Sequence, residues 1–199
     1  FPAILPAVSS GVLLNFTTMD PHLQNAYSEQ VGLEVERQVG SRSTIAVSYQ
    51  HVRGVHLIVS VNQNTPTCTA TSTNNGCRPV TTYGDNKMYS PAADSQYDGM
   101  TFSFVQRPVQ WGNFRISYTY SKAMDDVGEF FFSAPLDNGN IHQDWSRSDD
   151  DQRHRLVFDG SMHSATGPAH TVWARLSHGF QWSTLLQYYS ALPFNIVTG

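Results

Sequence analysis

Hydrophobic and polar residues alternate along most of this chain with a period of two, not the 3.6 of a helix. From Tyr27, Val31, Leu33 and Val35 hold the odd positions, and Gln30, Gly32, Glu34 and Glu36 the even ones. From Thr44, Ile45, Val47 and Tyr49 oppose Ala46, Ser48 and Gln50. From Asp98, Met100, Phe102 and Phe104 oppose Gly99, Thr101 and Ser103. From Asn113, Phe114, Ile116, Tyr118 and Tyr120 oppose Arg115, Ser117 and Thr119. The run from Arg155 sets Leu156, Phe158, Gly160 and Met162 against Val157, Asp159 and Ser161. The run from Gly179 sets Phe180, Trp182, Leu186 and Tyr188 against Gln181, Ser183 and Gln187. The pattern predicts an all-β fold, an antiparallel meander of about six strands of roughly ten residues each, where globular strands average about five or six.

The connections alternate in length. Hairpins are expected at about 27–53, 95–122 and 154–190, with long polar loops at about 54–94 and 123–153. The short connections run through Val39-Gly40-Ser41-Arg42, Pro108 to Gly112, and Ser164 to Val172. Gly40, Gly112 and Gly179 punctuate them, a loose repeat of one hairpin plus one long loop. Pro66, Pro79, Pro91 and Pro135 keep helices out of the long loops. Connections above about 15 residues are uncommon in compact domains and ask for a function.

A sheet with one apolar and one polar face has two solutions. Its apolar face packs on a second sheet in a soluble sandwich, or meets lipid in an outer-membrane barrel whose polar face lines the lumen. Glu34, Glu36, Arg107, Arg115, Arg155 and Asp159 all fall on the polar face. Glu29, Arg53, Asp98 and Lys122 share the apolar parity and are expected at strand ends. The strands reach the 9–11 or so residues that cross a bilayer at a tilt. Tyr49, Tyr118, Tyr120, Tyr188 and Tyr189 gather toward the long loops, and Trp111 and Trp173 toward the short turns, where amphipathic rings meet headgroups. These features favour the barrel. The alternative is a secreted β-sandwich, a lectin-like binding or adhesion module.

Composition narrows the field. Of 199 residues, 14% are charged, against about 25% in an ordinary soluble domain. No apolar run approaches the ~18 residues of a transmembrane helix. A net charge of −4 and a pI near 6.0 exclude a nucleic-acid binder, which needs a basic face. The chain opens Phe1-Pro2 without a signal-peptide pattern, as expected of a processed chain or a fragment. Cys68 and Cys77, in a loop of Thr, Asn, Gly and Pro, are expected to form a disulfide in an oxidising compartment.

Several stretches carry a family likeness. They are Asn25-Ala26-Tyr27-Ser28-Glu29-Gln30, the run from Ile45 to Leu57 through Arg53-Gly54-Val55-His56, and Tyr97-Asp98-Gly99-Met100. They continue with Ser121-Lys122-Ala123-Met124-Asp125-Asp126, Asp151-Gln152-Arg153-His154-Arg155-Leu156-Val157-Phe158, and Tyr189-Ser190-Ala191-Leu192-Pro193-Phe194-Asn195-Ile196. In this order and spacing they resemble the barrel of Oar-like TonB-dependent outer-membrane receptors of Gram-negative bacteria, the type with a carboxypeptidase-regulatory-like domain. The resemblance runs from about Asp20 to the end; its Ser-Lys-x-x-Asp-Asp and Arg-His-Arg pieces are the most specific. It implies a middle portion of a barrel closed around a plug domain and driven by a TonB complex. Partners would be outer-membrane lipid, plug, remaining barrel strands and an extracellular solute, with the long loops extracellular.

Candidate chemistry is sparse. Eight of the sixteen acidic residues lie between Ala123 and Gln152: Asp125, Asp126, Glu129, Asp137, Asp144, Asp149, Asp150 and Asp151. They could hold calcium, yet match no EF-hand spacing and read more simply as a solvated loop. The eight histidines, His22, His51, His56, His142, His154, His163, His170 and His178, show no zinc spacing, and no G-x-S-x-G elbow supports a hydrolase. Arg153-His154-Arg155 with Asp159 reads as lumen ion pairs or as scaffold. Glu129-Phe130-Phe131-Phe132 is unusually apolar for a solvated loop. No catalytic residue, metal or cofactor is expected.

Overall fold

The computed structural model describes residues 13–71, 74–128, 134–165 and 170–194. Its strands are β1 (Phe16–Met19), β2 (Tyr27–Val39), β3 (Ser43–Asn62), β4 (Asn86–Val109), β5 (Gly112–Asp125), β6 (Ser146–Arg147), β7 (His154–His163) and β8 (Gln181–Tyr189). They form one sheet in the order β2-β3-β4-β5-β7-β8. That path is the expected six-stranded meander. β1 pairs with β4 in parallel, and β6 pairs with β5. The chain divides into two compact units: residues 28–53, 95–124 and 146–199 in one, and 1–27, 54–94 and 125–145 in the other.

The first of these is a wall. Its register is set out by the ladders of β7 with β5 and β8. Ile116 faces Phe158 and Phe158 faces Leu186; Tyr118 faces Leu156 and Leu156 faces Tyr188. The alternate rows are polar: Thr119, Arg155 and Tyr189, then Asn113, Ser161 and Ser183. The charge pair Arg115 and Asp159 is also matched there, and Leu185 and Val157 are its apolar exceptions.

The apolar face is bare. Leu33 is 66% exposed, Leu186 54% and Trp182 69%, and the large side chains of that face on β2 and β8 are all exposed. A sandwich would bury this stripe, but the described residues form a single sheet with nothing stacked on it. The rings instead pack along the surface: Phe114 lies 5.6 Å from Phe104, 6.1 Å from Trp111 and 6.0 Å from Phe158, centre to centre. Gly40 (φ 69°) turns β2 into β3, and Gly112 (φ 144°) turns β4 into β5. At Gly112 a Cβ would run into the carbonyl oxygen of Ser161, so only glycine lets these backbones meet.

The second unit is built from the long loops and holds a small apolar core among the described residues. Val59, Val61 and Ala93 are buried, with Leu57, Val127 and Ile141 packed against them. β1 adds to the edge of β4, Phe16 opposite Asn86 through Met19 opposite Tyr89.

Strand ends differ from those expected. β3 runs on to Asn62 and β4 starts at Asn86, so the connection between them is 63–85, not 54–94. Asp98 and Arg53, expected at strand ends, lie along β4 and β3. Asp98 is accommodated there because its carboxylate accepts bonds from Tyr49 Oη (2.6 Å) and Gln96 Nε2 (2.7 Å), and bonds His51 Nδ1 (2.7 Å). The linker before β8 contains a short helix, α1 (Val172–Ser177), which alternation could not foretell. Trp173 lies on it and is 82% exposed. Glu129–Phe132, Gly167-Pro168 and Asn195-Ile196 lie outside the described residues.

Candidate functional site

The two most specific sequence pieces meet in space. Asp151 is fully buried between the end of β5 and the start of β7. Its Oδ2 accepts Nε of Arg147 (2.7 Å) and Nε of Arg153 (2.8 Å), and its Oδ1 accepts the Ala123 N–H (2.7 Å). Ser121 Oγ donates to the Gln152 carbonyl (2.8 Å), the Ser121 N–H to the Arg153 carbonyl (3.1 Å), and the Ser148 N–H to the Ala123 carbonyl (3.1 Å). Burial alone would raise the Asp151 pKa, but the Arg153 guanidinium, the Ala123 amide and Arg147 together outweigh it and hold the carboxyl below its ordinary value. The Ser121–Asp126 and Asp151–Arg155 pieces thus form a clamp that fastens the far end of the second long loop to the wall.

Beside the clamp, the polar face opens into a cleft of about 280 Å³ lined by Tyr97, Thr101, Thr119, Ser121, Ala123, Asp150, Gln152 and Arg155. Thr101 and Thr119 hydroxyls bond each other across it (2.9 Å). The Arg155 guanidinium sits 5.3 Å above the Tyr189 ring. Of the Arg153-His154-Arg155 run, Arg153 serves the clamp, Arg155 faces the cleft, and His154 takes the apolar parity. There His154 bonds Tyr118 Oη (2.8 Å) and lies against Tyr120, whose ring is 5.3 Å away. That aromatic cluster is where a headgroup-level girdle is expected.

In the loop unit, Cys68 and Cys77 are joined by a disulfide. The organiser beside it is Asn64, which is fully buried. Its Nδ2 donates to the carbonyls of Val80 (2.9 Å), Tyr83 (3.2 Å) and Gly84 (2.8 Å), and its Oδ1 accepts the Val80 N–H (2.9 Å). Arg78 bonds the Asn64 carbonyl and Asp85. Asn138 stitches the second loop to the first: its Oδ1 accepts the Asn62 N–H (2.7 Å) and its Nδ2 donates to Thr65 (3.1 Å).

The acidic stretch is dispersed. Asp151 belongs to the clamp, Asp126 is buried in the loop unit, Asp144 accepts the Leu136 N–H (2.8 Å), and Asp137 the Gly139 N–H (2.8 Å). Burial pushes the Asp126 pKa up despite the Asp94 N–H on Oδ1 (2.8 Å) and His142 3.6 Å from Oδ2. Among the described residues no three His, Cys, Asp or Glu side chains converge as a metal would need. Sequence reasoning missed Asn64, Asn138 and the role of Asp151. A lone Asn or Asp in a polar loop gives no sign of burial.

Comparison with known families adds one finding. The family model described as "Outer membrane beta barrel domain" matches residues 2–199. No curated protein and no solved structure matches the chain. Ten residues, the length of β7, at about 3.4 Å each and tilted about 40° rise roughly 26 Å, the height of an outer-membrane apolar band. With the match spanning nearly every residue and the apolar stripe left bare for lipid, the chain belongs to the outer membrane β-barrel family and forms barrel wall in the outer membrane.

Proposed function

We propose that this wall belongs to a TonB-dependent receptor that takes up an extracellular solute, with the long loops on the cell surface and the polar face toward the lumen. The observation that carries the reading is the network of bonds that ties down the described parts of the long loops. A disulfide, the Asn64 centre, the Asn138 stitch and the Asp151 clamp hold connections that a passive pore wall could leave loose. Ordered loops and a polar cleft on the wall beside the clamp are what a receptor needs to select a solute before transport. The sequence pieces that resemble Oar-like receptors support the same reading. The wall would pair at its β2 and β8 edges with further barrel strands, close around a plug, and carry no catalysis of its own.

Two measurements test this. The full receptor should crosslink to the periplasmic domain of TonB in energised outer membranes; failure to crosslink sinks the TonB assignment. In intact cells, Leu136→Cys should react with an impermeant maleimide, whereas Gln110→Cys, in the β4–β5 turn, should react only after the outer membrane is opened. The reverse pattern would invert the orientation.

A further inference from the structure

The polar-face cleft has a floor that composition does not reveal. Tyr97, Gly99 and Thr101 share the polar face of β4, being two residues apart. Tyr97 does not stand up from the sheet but lies along it over Gly99. A Cβ on residue 99 would lie 2.5 Å from Tyr97 Oη, 2.8 Å from Cζ and 2.9 Å from Cε1. Gly99 is buried by this cover, while Tyr97 remains partly exposed to the cleft. The Tyr-x-Gly spacing is therefore a device that lays an aromatic ring flat on a pleated sheet.

We propose that this cleft binds one sugar residue of a neutral saccharide, with Tyr97 as its stacking platform. A flat tyrosine offers an electron-rich face to the C–H face of a pyranose. Around it stand groups that read hydroxyls: the Thr101 and Thr119 hydroxyls, the Gln152 amide, the Asp150 carboxylate and the Arg155 guanidinium. One guanidinium and one carboxylate leave the lining without net charge, which suits a neutral polyol over an anion or cation. The volume of about 280 Å³ falls just below the ~300–1,000 Å³ of drug-sized small-molecule sites, so the cleft takes one ring and not an oligomer. The proposal rests on the receptor reading only for how the sugar arrives.

The test uses the full receptor, purified in a zwitterionic detergent free of sugar headgroups. Glucose, galactose, mannose, xylose and N-acetylglucosamine serve as probes in saturation-transfer NMR and titration. At least one should bind, with transfer strongest at its ring C–H protons. Tyr97→Ala should weaken that sugar about ten-fold, the worth of one aromatic contact. Gly99→Ala keeps the tyrosine but lifts it off the sheet, and should weaken binding by a similar factor; Tyr97→Phe should restore it. If no probe binds a receptor that still shows the heat-modifiable mobility of a folded barrel, the proposal is wrong. It is equally wrong if a sugar binds but ignores Gly99→Ala, which also decides the matter should Tyr97→Ala fail to assemble. None of these measurements involves TonB, so their failure and that of the receptor reading are separately visible.

Discussion

Replacing Asp151 by Asn changes one oxygen and no volume, and it should release the second long loop from the wall. In the native clamp the carboxylate receives two guanidinium Nε donors at 2.7 and 2.8 Å and one backbone N–H. An amide can keep the Ala123 N–H on its oxygen but turns an NH2 toward the two arginines. Breaking a fully buried ion pair costs about 3–5 kcal/mol. Here Asp151 is 0% exposed, but Arg147 is 49% and Arg153 27%, so water recovers part of the loss. That leaves roughly 2–3 kcal/mol, a factor of about 30–150 in the local opening equilibrium. Hydrogen exchange in a bilayer nanodisc reads it directly. The Ser148 and Ser121 amides, bonded to the Ala123 and Arg153 carbonyls, should exchange faster by about that factor, with amides of β7 and β8 unchanged. Acid gives a second arm. The pKa of Asp151 is lowered in the folded state, so its contribution is complete above the ordinary carboxylate value of 3.8 and is lost only as pH falls through the lower folded value. The clamp should hold at pH 5, begin to weaken only below pH 3.8, and open once the pH falls through the lowered folded value. Exchange in Asp151→Asn within about three-fold of the native rate would refute the reasoning.

Three further outcomes follow from the geometry. Leu33→Arg, on the bare face of β2, should cost about 2–4 kcal/mol in barrel stability by urea titration in vesicles, while Gln30→Arg on the polar face should cost little; equal losses would contradict the assignment of faces. Asn64→Ala removes a fully buried hub of four hydrogen bonds and should expose 78–85 to limited proteolysis, with about 2–4 kcal/mol of local stability lost, even with the Cys68–Cys77 disulfide intact. Asp126 has a raised pKa in the folded state, so its stabilising contribution is present below the ordinary carboxylate value and lost as pH rises through the folded one. Asp126→Asn keeps an oxygen for the Asp94 N–H and should leave the loop unit as stable at pH 7 or more so, with a flatter profile from pH 4 to 7; a destabilised variant at pH 7 would show that the charge itself is needed.

The strands of the wall were legible because one face meets a single apolar medium along its whole length, and that imposes parity on the sequence. Where the medium changes, parity fails as a guide. His56 takes a left-handed φ of 59° inside β3 and breaks the pleat. Beyond it, Leu57-Ile58-Val59-Ser60-Val61 packs beneath its own loops and shows no clean alternation. β1 and α1 are not legible in the sequence because four and six residues carry too little pattern. The candidate site was legible only in pieces. Tyr97-x-Gly99, Ser121–Asp126 and Asp151–Arg155 stood out as sequence, but their meeting depends on chain reversal through a loop of unrelated composition. Asp151 looked like one of eight equivalent acids because burial is a property of the fold and not of the residue.

The Asp151 clamp gathers the two ends of a long loop at one point on the wall. Between residues 126 and 147, the positions other than Val127, Asn138 and Ile141, which pack on or bond to β3 and β4, can then be lengthened, shortened or exchanged with little effect on the strands, since doubling a closed loop costs only about 0.6 kcal/mol. A barrel built this way keeps a constant frame and a replaceable face.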